Sequence, residues 1–161
     1  KVALERDKGP VALVLTRQKV PQLDRSRAED GLAQGAYVLS DPPDGVPRLI
    51  LMGSGSEVHL LVAAEAELAK DGVRARVVSM PSMELFAEQR KSVQDEVLPP
   101  SIPKRLAVEA ASPLSWYPFV GEQGDVIGMD RFGASAPYER IFEELNLTVE
   151  EVVRRARRLV E

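Results

Sequence analysis

Arg48-Leu-Ile-Leu-Met52 runs into Gly53-Ser-Gly-Ser56, a helical pattern follows from Glu57 to about Lys70, and Val73 to Ser79 then reads as another strand. Strand, helix and strand at that spacing form a βαβ crossover. Its two strands have to be parallel, because a helix-length connection carries the chain back to the starting edge, where a hairpin would reverse it. That commits the chain to the α/β class with a sheet covered by helices. The uninterrupted apolar run in Leu49 to Met52 fits a strand buried on both faces.

The remaining elements follow from local chemistry. Gly35-Ala-Tyr-Val-Leu-Ser40 is a short strand, and Asp41-Pro-Pro-Asp-Gly-Val-Pro47 forces a reversal. Gly72 is placed to stop the helix that starts at Glu57. Two short helices are predicted at Met83 to Glu88 and at Arg90 to Val97, ended by Pro99, Pro100 and Pro103. Strands follow at Arg105 to Glu109 and Asp125 to Ile127. A helix begins at Pro137, read as a first-turn proline, and ends near Asn146. The last helix opens with Thr148-Val-Glu-Glu151, a capping box, and places Val149, Val152, Val153, Ala156, Leu159 and Val160 on one face.

The opening residues read differently. Val11-Ala-Leu-Val-Leu15, between Gly9-Pro10 and Val20-Pro21, has the pattern of a core strand belonging to a preceding domain, with Arg17 at its carboxyl end. Open α/β sheets place ligand contacts at that end, and a guanidinium fork suits a phosphate. A surface ion pair is the competing reading. The polar stretch from Gln22 to Gln34 is expected to be a connector to the second unit.

Composition narrows the chemistry. A chain of 161 residues can bury its own core, and it contains no cysteine, which excludes thiol catalysis and thiolate metal sites and fits a reducing compartment. A net charge of −4 with mixed signs gives no electrostatic reason to expect nucleic acid or an anionic membrane. No apolar stretch approaches a membrane span, and the start lacks a signal-peptide pattern.

Six ordered segments carry a family resemblance. Leu15-Thr-Arg-Gln18 with Pro21, Gly53-Ser-Gly-Ser-Glu57-Val58, Val77-Val-Ser-Met-Pro-Ser82, Val108-Glu-Ala-Ala111, Trp116-Tyr117 with Val120-Gly121, and Ile127-Gly-Met-Asp-Arg-Phe-Gly-Ala-Ser-Ala-Pro137 resemble transketolase. The Phe132 motif and Thr16-Arg17-Gln18 favour that family over deoxyxylulose-phosphate synthase and the pyruvate dehydrogenase β subunit. The resemblance implies a three-layer, mostly parallel open sheet with helices on both faces. It divides the chain into residues 1–21, the last strand region of the pyrimidine-binding middle domain; residues 22–35, a linker; and residues 36–161, the C-terminal domain.

The resemblance also implies a transferase that moves a two-carbon ketol unit from a ketose phosphate to an aldose phosphate, in the pentose phosphate pathway, with thiamine diphosphate and magnesium or calcium. It implies a cytoplasmic homodimer whose cofactor and metal are held by N-terminal and middle domains absent from this chain. The chain alone is then expected to be inactive, a fragment of a longer enzyme rather than a split subunit. It would carry no catalytic, cofactor-binding or metal-binding residue of its own. Arg17 matches the family's sugar-phosphate arginine, and this shifts its reading from ion pair to substrate contact. Gln18 points to the opposite strand face and is left out.

Other residues attract attention for weaker reasons. Gly53 to Ser56 lies between a strand and a helix and could offer free N–H groups to an anion, but it lacks both the dinucleotide fingerprint and the P-loop lysine. A turn capped by Ser54 or Ser56 is the expected role, and a noncatalytic nucleotide-binding module is the alternative function. His59, the single histidine, lies beside Glu57 and Glu65 and is assigned packing rather than metal binding. Glu109 and Asp130 are expected to be structural, meeting as a dyad only if the fold joins them. Trp116, Tyr117 and Phe119 read as core or domain-contact residues, and the arginines from Arg154 to Arg158 as a solvated face that complements the helix dipole.

Overall fold

The computed structural model describes residues 2–7, 9–24, 26 and 28–161. Among these, five strands form one sheet: β1 (Tyr37–Ser40), β2 (Leu49–Gly53), β3 (Ala75–Ser79), β4 (Arg105–Val108) and β5 (Asp125–Ile127), in the spatial order β1-β3-β2-β4-β5. β2 is central and parallel to both β3 and β4, with Leu51 opposite Val77 on one side and Leu106 on the other. β5 extends the parallel set, and β1 closes the far edge antiparallel to β3. The sheet is thus mostly parallel, as expected.

The helices are α1 (Val2–Glu5), α2 (Ala28–Gln34), α3 (Val58–Lys70), α4 (Met83–Ala87), α5 (Lys91–Val97), α6 (Tyr117–Val120), α7 (Tyr138–Glu144) and α8 (Val149–Val160). The period of two in β2 sends alternate side chains to two separate cores. Leu49 and Leu51 pack with Leu61 and Leu68 of α3 and with Val152 and Ala156 of α8. Ile50 and Met52 pack with Phe86, Val97 and Trp116 on the opposite face. Every residue of β2 is buried, and each large side chain so placed contributes about 1.5–3 kcal/mol.

Specific devices fix the element ends. Gly72, at φ +72°, donates to Ala69 while Val73 donates to Leu68, closing α3 in a left-handed cap. Gly35, at φ +84°, accepts from the Ser82 N–H at 3.0 Å, and a Cβ there would lie 2.5 Å from the Phe86 nitrogen, so only glycine fits. The Thr148 hydroxyl accepts the Glu151 N–H at 3.3 Å and caps α8.

Three expectations are corrected. Residues 11–17 are exposed and form no strand, because a strand exists through hydrogen-bonded neighbours and no described segment pairs with this one. The presumed connector contains α2, whose Gly31 packs against the Tyr37 side chain at the start of β1; its positions 25 and 27 lie outside the described residues. Pro137 sits one residue before α7 in an extended conformation, ψ 138°, accepting the Ile141 N–H at 3.2 Å.

Candidate functional site

The strand order locates a crevice. From β2 the chain crosses by way of α3 over one face to β3, and from β3 it returns by way of α4 and α5 over the other face to β4, on the opposite side of β2. The carboxyl ends of β2 and β4 are therefore a topological switch point, where open α/β sheets receive ligands.

In this chain that point is filled from within. Ser54, the residue after β2, donates its hydroxyl to Glu109 Oε2 at 3.0 Å, tying the end of β2 to the residue after β4. Ser56 donates to Glu57 Oε1 at 2.6 Å. Glu57 closes a short 3-10 turn at Gly55–Glu57 ahead of α3 and is only 3 % exposed. Burial pushes its carboxyl above the usual range, nearby Glu109 pushes it further, and the Ser56 hydroxyl with the N–H groups of Glu57 and Ala110 act the other way. Burial also raises the Glu109 carboxyl against the opposing effects of Ser54 and Trp116. Trp116 is fully buried beside this pair, and its indole Nε1 makes no hydrogen bond of acceptable distance and angle although it lies near enough to Glu109 to stabilise the carboxylate.

This arrangement corrects the expected caps. Neither Ser54 nor Ser56 caps the helix start with its hydroxyl, because each hydroxyl is committed to a glutamate. The Ser54 and Ser56 hydroxyls already serve carboxylates, and two acidic groups in the crevice disfavour a diphosphate. The site therefore does not suit thiamine diphosphate, and among the described residues no group of three or more acidic or histidine side chains is placed to hold a metal ion.

The other sequence candidates separate. Arg17 lies exposed in a bend of the opening segment, in no strand, with Gln18 half-buried beside it. His59 is half-buried and directs Nδ1 to the Ser56 carbonyl at 2.5 Å, so that nitrogen carries the proton in this contact. Glu65 accepts from the Ser40 hydroxyl at 2.7 Å rather than approaching His59. Asp130, Arg131 and Phe132 are exposed, and Glu109 turns to Ser54 instead of meeting Asp130. Trp116 and Phe119 stack edge to face at 6.4 Å within the second core, while Tyr117 is exposed.

Arg154, Arg155, Arg157 and Arg158 all hold carboxylates, namely Glu151, Asp125 or Asp71, as expected of a solvated face. What sequence reading missed is that Glu109 lies near enough to Glu57 to act on its carboxyl. The available signal was that each follows the carboxyl end of a buried strand, and adjacency of those strands would have joined them.

Comparisons with known proteins agree with this architecture. Residues 35–148 match the family described as the transketolase-like TK C-terminal domain. The chain is 52% identical to the transketolase of Halalkalibacterium halodurans over 100% of its own length and 24% of that protein. It is 48% identical to the transketolase of Geobacillus stearothermophilus, covering 99% of this chain and 24% of the relative. The structure of transketolase from Leishmania mexicana superposes with a TM-score of 0.80 at 39% identity, over 89% of this chain and 20% of that one. The chain spans about a quarter of the length of these curated relatives. With sequence matched from end to end and the sheet shared with a solved relative, this chain belongs to the transketolase family, and its residues 35–148 form the family's C-terminal domain.

Proposed function

We propose that this chain is the C-terminal portion of a transketolase that transfers a two-carbon ketol unit between sugar phosphates, and that it supports the reaction without housing it. The single observation that carries this reading is the 52% identity to a transketolase across the entire chain. The curated relatives are about four times as long, which leaves ample sequence for a cofactor site elsewhere. When bound there, thiamine diphosphate with magnesium or calcium would supply the carbanion chemistry of ketol transfer. This chain would contribute Arg17, whose fork grips the phosphate of a ketose or aldose donor or acceptor once the opening segment is seated among the preceding domains. The assembled enzyme is read as a cytoplasmic homodimer of the pentose phosphate pathway. Nothing in the net charge of −4 favours nucleic acid as a partner.

The experiment is a chimera in which the Halalkalibacterium halodurans enzyme carries this chain in place of its own matching quarter. Ketol transfer is measured for the chimera and for the chain alone, each with thiamine diphosphate and magnesium. The expected result is an active chimera and an inactive chain. A folded, cofactor-loaded chimera without activity would overturn the reading. The alternative, a nucleotide-binding module, is disfavoured because the Gly-Ser turn spends its hydroxyls on Glu57 and Glu109.

A further inference from the structure

The sequence contains three Asp-Gly steps, Asp30-Gly31, Asp44-Gly45 and Asp71-Gly72. Such a step can react with itself, because glycine has no Cβ to keep its nitrogen away from the preceding side-chain carboxyl. We propose that the fold leaves one of the three reactive, so that Asp44-Gly45, in the turn between β1 and β2, is the site where this chain converts an aspartate to isoaspartate.

The three steps differ in what holds the glycine nitrogen. Gly45 lies in an exposed bend at φ +81°, and among the described residues its N–H donates to no acceptor. Asp44 is exposed as well and, among the described residues, makes no hydrogen bond or ion pair. Gly72, in contrast, donates its N–H to the Ala69 carbonyl at 3.0 Å where α3 closes, and the Asp71 carboxylate is paired with Arg157. The Asp30-Gly31 peptide lies within α2, and Gly31 is buried against the Tyr37 side chain. Local structure has to open before either of those two steps can react, whereas at Asp44 nothing has to break.

The conversion needs only water. The Gly45 nitrogen attacks Cγ of the Asp44 carboxylic acid, the N–Cγ bond forms, and the hydroxyl leaves with the N–H proton as water. A water then adds at the α-carbonyl carbon of the succinimide ring, the C–N bond there breaks, and a proton returns to nitrogen. The backbone now runs through Cγ and is one carbon longer, and the former α-carboxyl becomes a free side group. That lengthening falls beside Arg74, whose Nε donates to the Val46 carbonyl at 3.1 Å. The site is independent of the ketol-transfer reading.

The test follows the ring by its oxygen. The intact, folded chain is incubated at neutral pH in heavy-oxygen water, digested in ordinary water and mapped by tandem mass spectrometry, since each passage through the ring installs one heavy oxygen at that aspartate. The expected result is labelling of Asp44 about fivefold or more faster than of Asp30 or Asp71, the factor that one ordinary hydrogen bond supplies. The labelled peptides should accept a methyl group at residue 44 from an isoaspartyl carboxyl methyltransferase. Peptides from Asp44→Glu should not, because the longer side chain has to close a larger, slower-forming ring. In urea, which removes the fold, the three labelling rates should converge. Equal labelling of the three sites in the folded chain would overturn the proposal. So would an Asp44 preference that persists undiminished in urea, or label at Asp44 without methyl acceptance.

Discussion

Arg76 and Asp41 form a two-point pair, with Nε donating to Oδ1 at 2.7 Å and Nη2 to Oδ2 at 3.0 Å. The remaining guanidinium nitrogen, Nη1, donates to the Glu96 and Val97 carbonyls at the end of α5, at 2.7 and 3.2 Å. One side chain on β3 thereby holds the turn after β1 and the helix before β4. Arg76→Ala should cost about 2–3 kcal/mol, and Arg76→Lys should recover less than half, because an ammonium cannot reproduce the planar fork. Thermal unfolding would register the alanine loss as roughly 4–12 °C for a chain of this size. A shift below about 1 °C would show that the pair contributes nothing beyond solvated contacts.

Arg105 presents the opposite case, a cation with carbonyl partners. At the start of β4, it donates through Nε to Ile102, through Nη1 to Phe119 and through Nη2 to Leu98 and Pro99, at 2.8–3.1 Å. Burial holds its pKa below the ordinary arginine value, opposed by Asp95. Arg105→Met keeps much of the volume but takes a charged donor from four carbonyls, of which Pro99 keeps the Ile102 N–H, and a loss of about 3 kcal/mol is expected. Urea unfolding at constant m-value is the measurement, and an unchanged midpoint would refute the bracing role.

These two arginines show what sequence can and cannot carry. β2, α3 and β3 were legible because an apolar strand, a Gly-Ser turn and a helical stretch stopped by Gly72 are local patterns, and their parallel pairing follows from connection length alone. Arg76 and Arg105 were silent because their partners lie up to 35 residues away or are main-chain carbonyls, which no side-chain spelling announces. The same holds for Glu57 and Glu109, placed at one end of the sheet only by the strand order. The opening run misled for a physical reason: apolar periodicity reports what a segment can bury, not whether its neighbours are present to pair with it. In this structure Val14 is 93% exposed.

Glu151 gives the chain an acid-sensitive anchor. Hydrogen bonds from Arg154, followed by Arg155, hold its carboxyl down to about 2 from an ordinary 4.5. A depressed carboxyl pKa stabilises the fold above the unfolded value, so the contribution is complete above pH 4.5 and drains away as pH falls toward 2. Arg154 is 59% exposed, so screening reduces the gain to about 1 kcal/mol. Glu151→Gln should therefore lower stability by about that amount at pH 7 and by almost nothing near pH 2, with the difference shrinking in high salt. A variant equally destabilised at both pH values would show that lost α8 packing, and not charge, is responsible.

Arg17 separates function from folding. It lies exposed in the opening segment, and among the described residues it holds no hydrogen bond or ion pair. Arg17→Ala should therefore change the stability of this chain by less than about 0.5 kcal/mol. In the chimeric enzyme the same substitution should raise KM for phosphorylated sugars about tenfold or more while largely sparing kcat, because a phosphate grip far from the reacting carbon binds ground and transition states alike. Sugars lacking the phosphate provide the internal control: the variant and the parent should process them equally. Equal loss with phosphorylated and unphosphorylated substrates would assign Arg17 to the seating of the opening segment, and unchanged kinetics with both would remove it from the substrate site.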